Sequence, residues 1–172
     1  MAGQSEIAFL FPGQGSQYVG MGKDFLDGDA AARELLARAE ELSGYPLRKL
    51  CLDGPMEELT RTAHLQPAVT VLNLIALQAL GRAGIEPTLV AGHSLGEYSA
   101  LCAAGVVSAE GAMRLTTERG RLMEREAERN PGVMSAILGL DIDQVTEIVA
   151  QVSDRGVITV ANHNSAQQIV IS

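Results

Sequence analysis

Hydrophobic positions fall into two textures along the chain. In the first, Ile7–Phe11 is a continuous apolar run cut off by Pro12-Gly13-Gln14-Gly15, which predicts a buried strand followed by a loop. Ala31, Leu35, Leu36, Ala39 and Leu42 recur at helical spacing, and Gly44 follows as a stop. Tyr45–Gly54 shows neither period and reads as irregular. Gln66–Arg82 predicts a second helix, with Pro67 near its first turn and Gly84 beyond its end. Thr88–Gly92 predicts a short strand and Glu97–Ala104 a helix. Ser108 is placed to cap a long helix through Glu128, with Glu110 in the favourable first turn, and Pro131-Gly132 breaks it.

The second texture begins after that break. Val133–Leu140 predicts a strand, Ile142–Val152 an amphipathic helix, and Val157–Ala161 and Ile169–Ser172 two more strands, with the polar Asn162–Gln168 turning between them. Strand–helix alternation up to the break predicts an α/β core with a parallel sheet. The β-α-β-β order after it predicts a small α+β lobe, so the expected division is 1–132 and 133–172. That lobe stops on an unfinished sheet with its last residues still apolar, so further chain is expected on the C-terminal side.

Composition narrows the classes of function. With 172 residues the chain has room for one ordinary domain, or one with a small appendage, and 47% hydrophobic against 20% charged residues supplies ample core. Thirteen basic against 21 acidic residues give a net charge of −8 without any basic cluster, which argues against nucleic acid as a partner. The apolar stretches Val69–Leu80 and Leu101–Val107 are too short or too interrupted to span a bilayer, so no membrane is expected. Met1–Glu6 carries an acid where a secretory signal carries base, and two cysteines, Cys51 and Cys102, make no framework. No CxxC or HxxxH spacing suggests a metal, and a cytoplasmic, reduced-thiol protein is the expectation. The 18 glycines concentrate in Pro12–Gly22 and Gly92–Gly96, where tight turns or close backbone approach are needed. Aromatics are scarce, with no Trp, which argues against stacking on bases or sugars.

Gly92-His-Ser-Leu-Gly96 fits the GxSxG nucleophile elbow, with an apolar run before it and a helical pattern after it. In such an elbow the serine occupies a strained turn, the flanking glycines make room for neighbouring backbone, and the next amide, here that of Leu95, faces a developing oxyanion. The bland alternative is that Ser94 only caps the following helix. A nucleophilic serine also needs a second donor, and the loop Pro12–Gln17 after the first strand offers the Gln14 amide between two glycines. A plain turn is the alternative there; a Walker-type phosphate loop is not, since Gly-Lys-Ser/Thr is absent, and GxGxxG is not met. On the helix from residue 109, Ala112, Leu115, Leu122 and Met123 trace one face, and helical geometry puts Arg119 inside that stripe. A core-facing guanidinium needs an anion, either an internal carboxylate or a ligand.

Taken together, Phe11–Gln17, Gln66-Pro-Ala68, Gly92–Ala100, Arg119-Gly120 with Met123, and Asn162-His-Asn-Ser165 closely resemble malonyl-CoA:acyl carrier protein transacylases, in order and over essentially the whole chain. The resemblance implies an α/β-hydrolase-like parallel-sheet core with an inserted ferredoxin-like α+β subdomain, here incomplete. It implies Ser94 as the acylated nucleophile, the backbone amides of Gln14 and Leu95 as oxyanion hole, and Arg119 as partner of the malonyl carboxylate. Gln66, Met123 and Asn162 match pocket-lining positions. It implies ping-pong transfer of malonyl from malonyl-CoA to the phosphopantetheine thiol of acyl carrier protein, in fatty-acid or polyketide synthesis, with no metal or redox cofactor.

The sequence departs from that family in two places. The family's catalytic histidine follows the ferredoxin-like lobe, beyond Ser172. Of the histidines present, His93 is expected to project away from the Ser94 hydroxyl, His64 to sit at the surface or cap a helix, and His163 to lie in a turn. Ala166 stands where proline is usual after Asn-Ser. A serine without its base is a weak nucleophile, so the chain alone is expected to be nearly inactive. A serine esterase or thioesterase and a catalytically silent carrier-protein-binding fragment are the competing expectations.

Overall fold

The computed structural model describes residues 6–172; most of the segment on which the absence of a leader was argued, 1–5, lies outside the described residues. Two compact units divide between Glu126 and Ala127.

The first unit is organised by one long helix. β1 (Ala8–Phe11) and β2 (Leu89–Gly92) pair in parallel, Ala8 opposite Leu89 through Phe11 opposite Gly92, so both strands end at the same edge. Between them run α1 (Lys23–Gly28), α2 (Ala30–Ser43), α3 (Leu47–Asp53), α4 (Met56–Thr60) and α5 (Thr62–Arg82). After β2 come α6 (Gly96–Ala103) and α7 (Ala109–Arg129). Of the α5 side chains, Leu65, Val69, Val71, Leu74 and Ile75 are buried, each contributing about 1.5–3 kcal/mol over exposure. By length and composition α5 could cross a bilayer, longer than the apolar stretch expected from sequence, yet it is packed against α2, α3, α4 and α6. Asp29 caps α2 by accepting from the Ala31 amide, and Gly44 ends it in the left-handed region at φ 73°.

Several expectations need correction. β1 is not buried throughout: Phe9 and Phe11 pack on Ala100 and Leu77, while Leu10 is 75% exposed, because helices cover only one face of this two-stranded sheet among the described residues. Tyr45–Gly54 is not irregular. It contains α3, whose Leu47, Leu50 and Cys51 turn inward at i, i+3 and i+4. Pro67 lies inside α5 rather than in its first turn, since the helix begins at Thr62. His64 therefore sits on the helix, its Nδ1 2.9 Å from the Glu58 carbonyl and its ring edge-on to Tyr45, and is not a surface residue before it.

The second unit is a β-α-β-β arrangement. β3 (Ser135–Leu138), α8 (Ile142–Val152), β4 (Val160–Ser165) and β5 (Gln168–Ile171) form an antiparallel sheet in the order β3-β5-β4 with the helix between its first two strands. Asp141 and Gln144 form a reciprocal capping box that starts α8 at Ile142. The turn between β4 and β5 is shorter than expected. Asn162 and His163 belong to β4, opposite Val170 and Ile169, not to a loop.

Candidate active site

Because β1 and β2 run in parallel and end level, the loops that leave them, Pro12–Gln17 and His93–Leu95, emerge at the same edge of the sheet. Ser94 is the one described non-glycine residue with positive φ, at +50°, a strained conformation that an elbow imposes on its nucleophile. The flanking glycines are obligatory on steric grounds. A Cβ on Gly92 would collide with the Gly96 carbonyl and the Glu97 amide, and one on Gly96 would collide with the Phe11 carbonyl. Gly13 is equally confined, pressed against the His93 carbonyl with the Leu95 amide beside it. The Leu95 side chain, 1% exposed, packs on Leu65 and Val69 of α5, which anchors the turn while leaving its N–H at the start of α6.

On the other strand's loop, the Gly13 carbonyl accepts from Ser16 Oγ at 2.7 Å and Ser16 N at 3.3 Å, and the Gly15 amide donates to Gln17 Oε1 at 2.8 Å. Neither the Gln14 nor the Leu95 N–H is taken by an acceptor among the described residues. Gln14 and Ser94 are themselves exposed.

Arg119 reaches this edge from α7. Its Nη2 donates to Ser94 Oγ at 3.0 Å and its Nη1 to Gln66 Oε1 at 2.8 Å, and its guanidinium lies 5.8 Å from the centre of the Tyr98 ring. Gln66 is fully buried and uses its other end, Nε2, on Met123 Sδ at 3.0 Å. Gly120 explains the close approach of α7 to α5: a Cβ there would stand 2.8 Å from the Thr62 carbonyl. Among the described residues no carboxylate pairs with Arg119, so its charge is held by neutral groups. The stripe expected to carry it is different from the one observed. Leu115, Leu122 and Met123 are all more than a third exposed, and α7 instead buries Ala112, Met113, Thr116, Thr117 and Gly120, with Arg119 at the border of that face.

The structure thus gathers Ser94, Leu95, Arg119, Gln66 and Met123 around one edge, together with the Gln14 loop. Asn162 lies on β4 of the second unit. Two contributors escaped the sequence reading. Tyr98 sits two residues after the elbow motif, on α6, where its aromatic ring was the available signal. Asn73 follows Gln66 by seven residues, and that two-turn spacing was its signal. Among the described residues no three His, Cys, Asp or Glu side chains gather as a metal site would require.

An elbow serine in contact with a guanidinium suits acyl chemistry, and residues 8–172 match the acyl transferase domain family, to which the chain belongs. Within that family several of its relatives are malonyl CoA-acyl carrier protein transacylases. It is 43% identical over 169 residues to the malonyl CoA-acyl carrier protein transacylase of Bacillus subtilis (strain 168), covering 98% of this chain and 53% of that protein. The solved malonyl-CoA:acyl carrier protein transacylase of Xanthomonas oryzae pv. oryzae matches with a TM-score of 0.90 at 41% identity, covering 98% of this chain and 54% of the other. A malonyl-transacylase in complex with its type II PKS acyl-carrier protein matches with a TM-score of 0.88 at 39% identity, covering 97% and 54%. The chain spans about half the length of the relatives it matches.

Proposed function

We propose that the chain carries the nucleophile and carboxylate-binding half of a malonyl-CoA:acyl carrier protein transacylase serving fatty-acid or polyketide synthesis. The observation that carries this reading is the 3.0 Å contact between Ser94 Oγ and an Arg119 that no carboxylate pairs with among the described residues. A simple esterase has no use for such a cation. A diacid half-thioester does, because its second carboxylate needs a bidentate partner next to the reacting carbonyl.

In the proposed reaction Ser94 Oγ attacks the thioester carbon of malonyl-CoA and loses its proton to a base. The resulting oxyanion is held by the Gln14 and Leu95 amides, the C–S bond breaks, and CoA leaves as its thiol. The phosphopantetheine thiol of acyl carrier protein then attacks the serine ester by the reverse sequence. Arg119 holds the malonyl carboxylate throughout, Gln66 orients Arg119, and Met123 lines the pocket. No metal or redox cofactor enters the proposal. Acyl carrier protein as acceptor is supported by the complex known for a relative. A cytoplasmic setting is supported by two unbridged cysteines. The β3-β5-β4 order suits the first three strands of a ferredoxin-like lobe inserted in an α/β-hydrolase-like core.

A second reading, for this chain acting alone, rests on a different observation. Among the described residues the hydrogen bond to Ser94 Oγ comes from a donor, Arg119, and not from a base. Without a base, oxyanion hole and binding leave roughly 10³–10⁴-fold over water, and the chain then binds carrier protein with little turnover.

Malonyl-CoA and acyl carrier protein, supplied to the wild type, Ser94→Ala and Arg119→Ala, separate these readings. A malonyl adduct on Ser94 that passes to the carrier, with Arg119→Ala losing about tenfold or more, is the expected result. Unchanged transfer by Arg119→Ala defeats the carboxylate assignment, and transfer to water instead of the carrier favours a hydrolase.

A further inference from the structure

One buried polar side chain near the site is left without a role by the reading above. Asn73 stands seven residues after Gln66, two turns along α5 and therefore on the same face of that helix. It is 8% exposed. Its Nδ2 donates to the Pro12 carbonyl at 3.2 Å and to Ser99 Oγ at 3.3 Å, so one amide group spans two separate segments. The first is the loop after β1, two residues before Gln14. The second is α6, whose opening residue follows Leu95 directly; Ser99 is fully buried there.

Peptide planarity turns these bonds into control over the Gln14 amide. Holding the Pro12 carbonyl fixes the plane of the Pro12–Gly13 peptide. Ser16 then holds the Gly13 carbonyl, and in a trans peptide the Gln14 N–H points opposite to that oxygen. The direction of the Gln14 N–H is thus set by two clamps in series, Asn73 first and Ser16 second. At its other end Asn73 grips the helix that carries the Leu95 amide. An oxyanion hole works only if both donors face one point, and misplacement by about 1 Å costs up to roughly 10²-fold.

We infer that Asn73 is the positioning residue that holds the Gln14 and Leu95 amides in register, by bridging the Pro12 carbonyl and Ser99. The inference rests on the proposed role of those amides, but its structural half is testable without turnover. In the 172-residue chain, Asn73→Asp keeps the shape and replaces the donating Nδ2 with a carboxylate oxygen, which repels Pro12 O while Ser99 Oγ can still donate to it. The Gly13 and Gln14 amide resonances in ¹H–¹⁵N spectra are expected to move in Asn73→Asp. Ser99→Ala, which removes only the far end, is expected to move Leu95 and leave Gln14 in place. The rate of Ser94 malonylation at saturating malonyl-CoA is expected to fall roughly tenfold or more in Asn73→Asp, with the half-saturating concentration unchanged. Arg119→Ala is expected to raise that concentration.

Unmoved Gly13 and Gln14 resonances in a folded Asn73→Asp overturn the inference. If that variant does not fold, Ser99→Ala decides: a displaced Leu95 amide supports the bridge and an unmoved one refutes it. A wild type that is never malonylated defeats the proposed function, and the spectra still decide what Asn73 does.

Discussion

The contact between Gln66 and Arg119 makes a sharper energetic test than either residue alone. Gln66 is fully buried and gives the guanidinium a 2.8 Å acceptor. Hydrogen bonds to charged groups contribute about 1.5–3 kcal/mol, and Arg119, only partly buried, belongs at the lower end. Gln66→Leu loses this bond and the weak amide–sulfur contact to Met123. It also relieves the cost of burying an amide, about 1–3 kcal/mol. The net change is expected within about 1 kcal/mol of zero, so the single variant says little. The cycle of Gln66→Leu, Arg119→Met and both together isolates the pair, with an expected coupling of about 1.5 kcal/mol. Urea unfolding followed by tyrosine fluorescence measures it cleanly, because Tyr18, Tyr45 and Tyr98 all lie in the first unit and the chain has no Trp. A double variant equal to the sum of the singles within about 0.5 kcal/mol would refute the idea that Gln66 holds Arg119 in place.

Two further outcomes follow from the same geometry. Gly96→Ala drives a methyl into the Phe11 carbonyl, backbone that cannot step aside, and should cost about 3 kcal/mol in a thermal melt; an unchanged Tm means that the start of α6 does not approach the end of β1 as described. Burial pushes the Cys51 thiol up to about 12 from the ordinary 9.0. A raised folded-state value favours the protonated form, so its contribution to stability is complete below about pH 9 and is lost as pH climbs toward 12. Cys51→Ala should therefore flatten the fall in urea midpoint between pH 9 and 11, and an identical slope in both proteins counts against burial as the cause.

The sequence by itself determined whatever depends on neighbours a few residues away. The elbow is such a feature: Gly92, Ser94 and Gly96 encode a strained turn between strand and helix, because only glycine fits where a Cβ would strike backbone. The same holds for α8, whose start at Ile142 is specified by the Asp141–Gln144 box. The short helix α3 is hidden because seven residues span only about two turns, too few for a period to stand out, and Pro67 suggests a helix start at Gln66 where the helix begins four residues earlier, at Thr62. Tertiary structure alone decided which face of α7 is buried, since Gly120 permits a close approach to Thr62 and turns Leu115 and Leu122 outward. It alone decided the partners of Arg119 and Asn73, which lie 25 to 61 residues away along the chain. A period records which side of a helix is apolar, whereas a hydrogen bond across the fold depends on where two distant segments come to rest, and packing sets that.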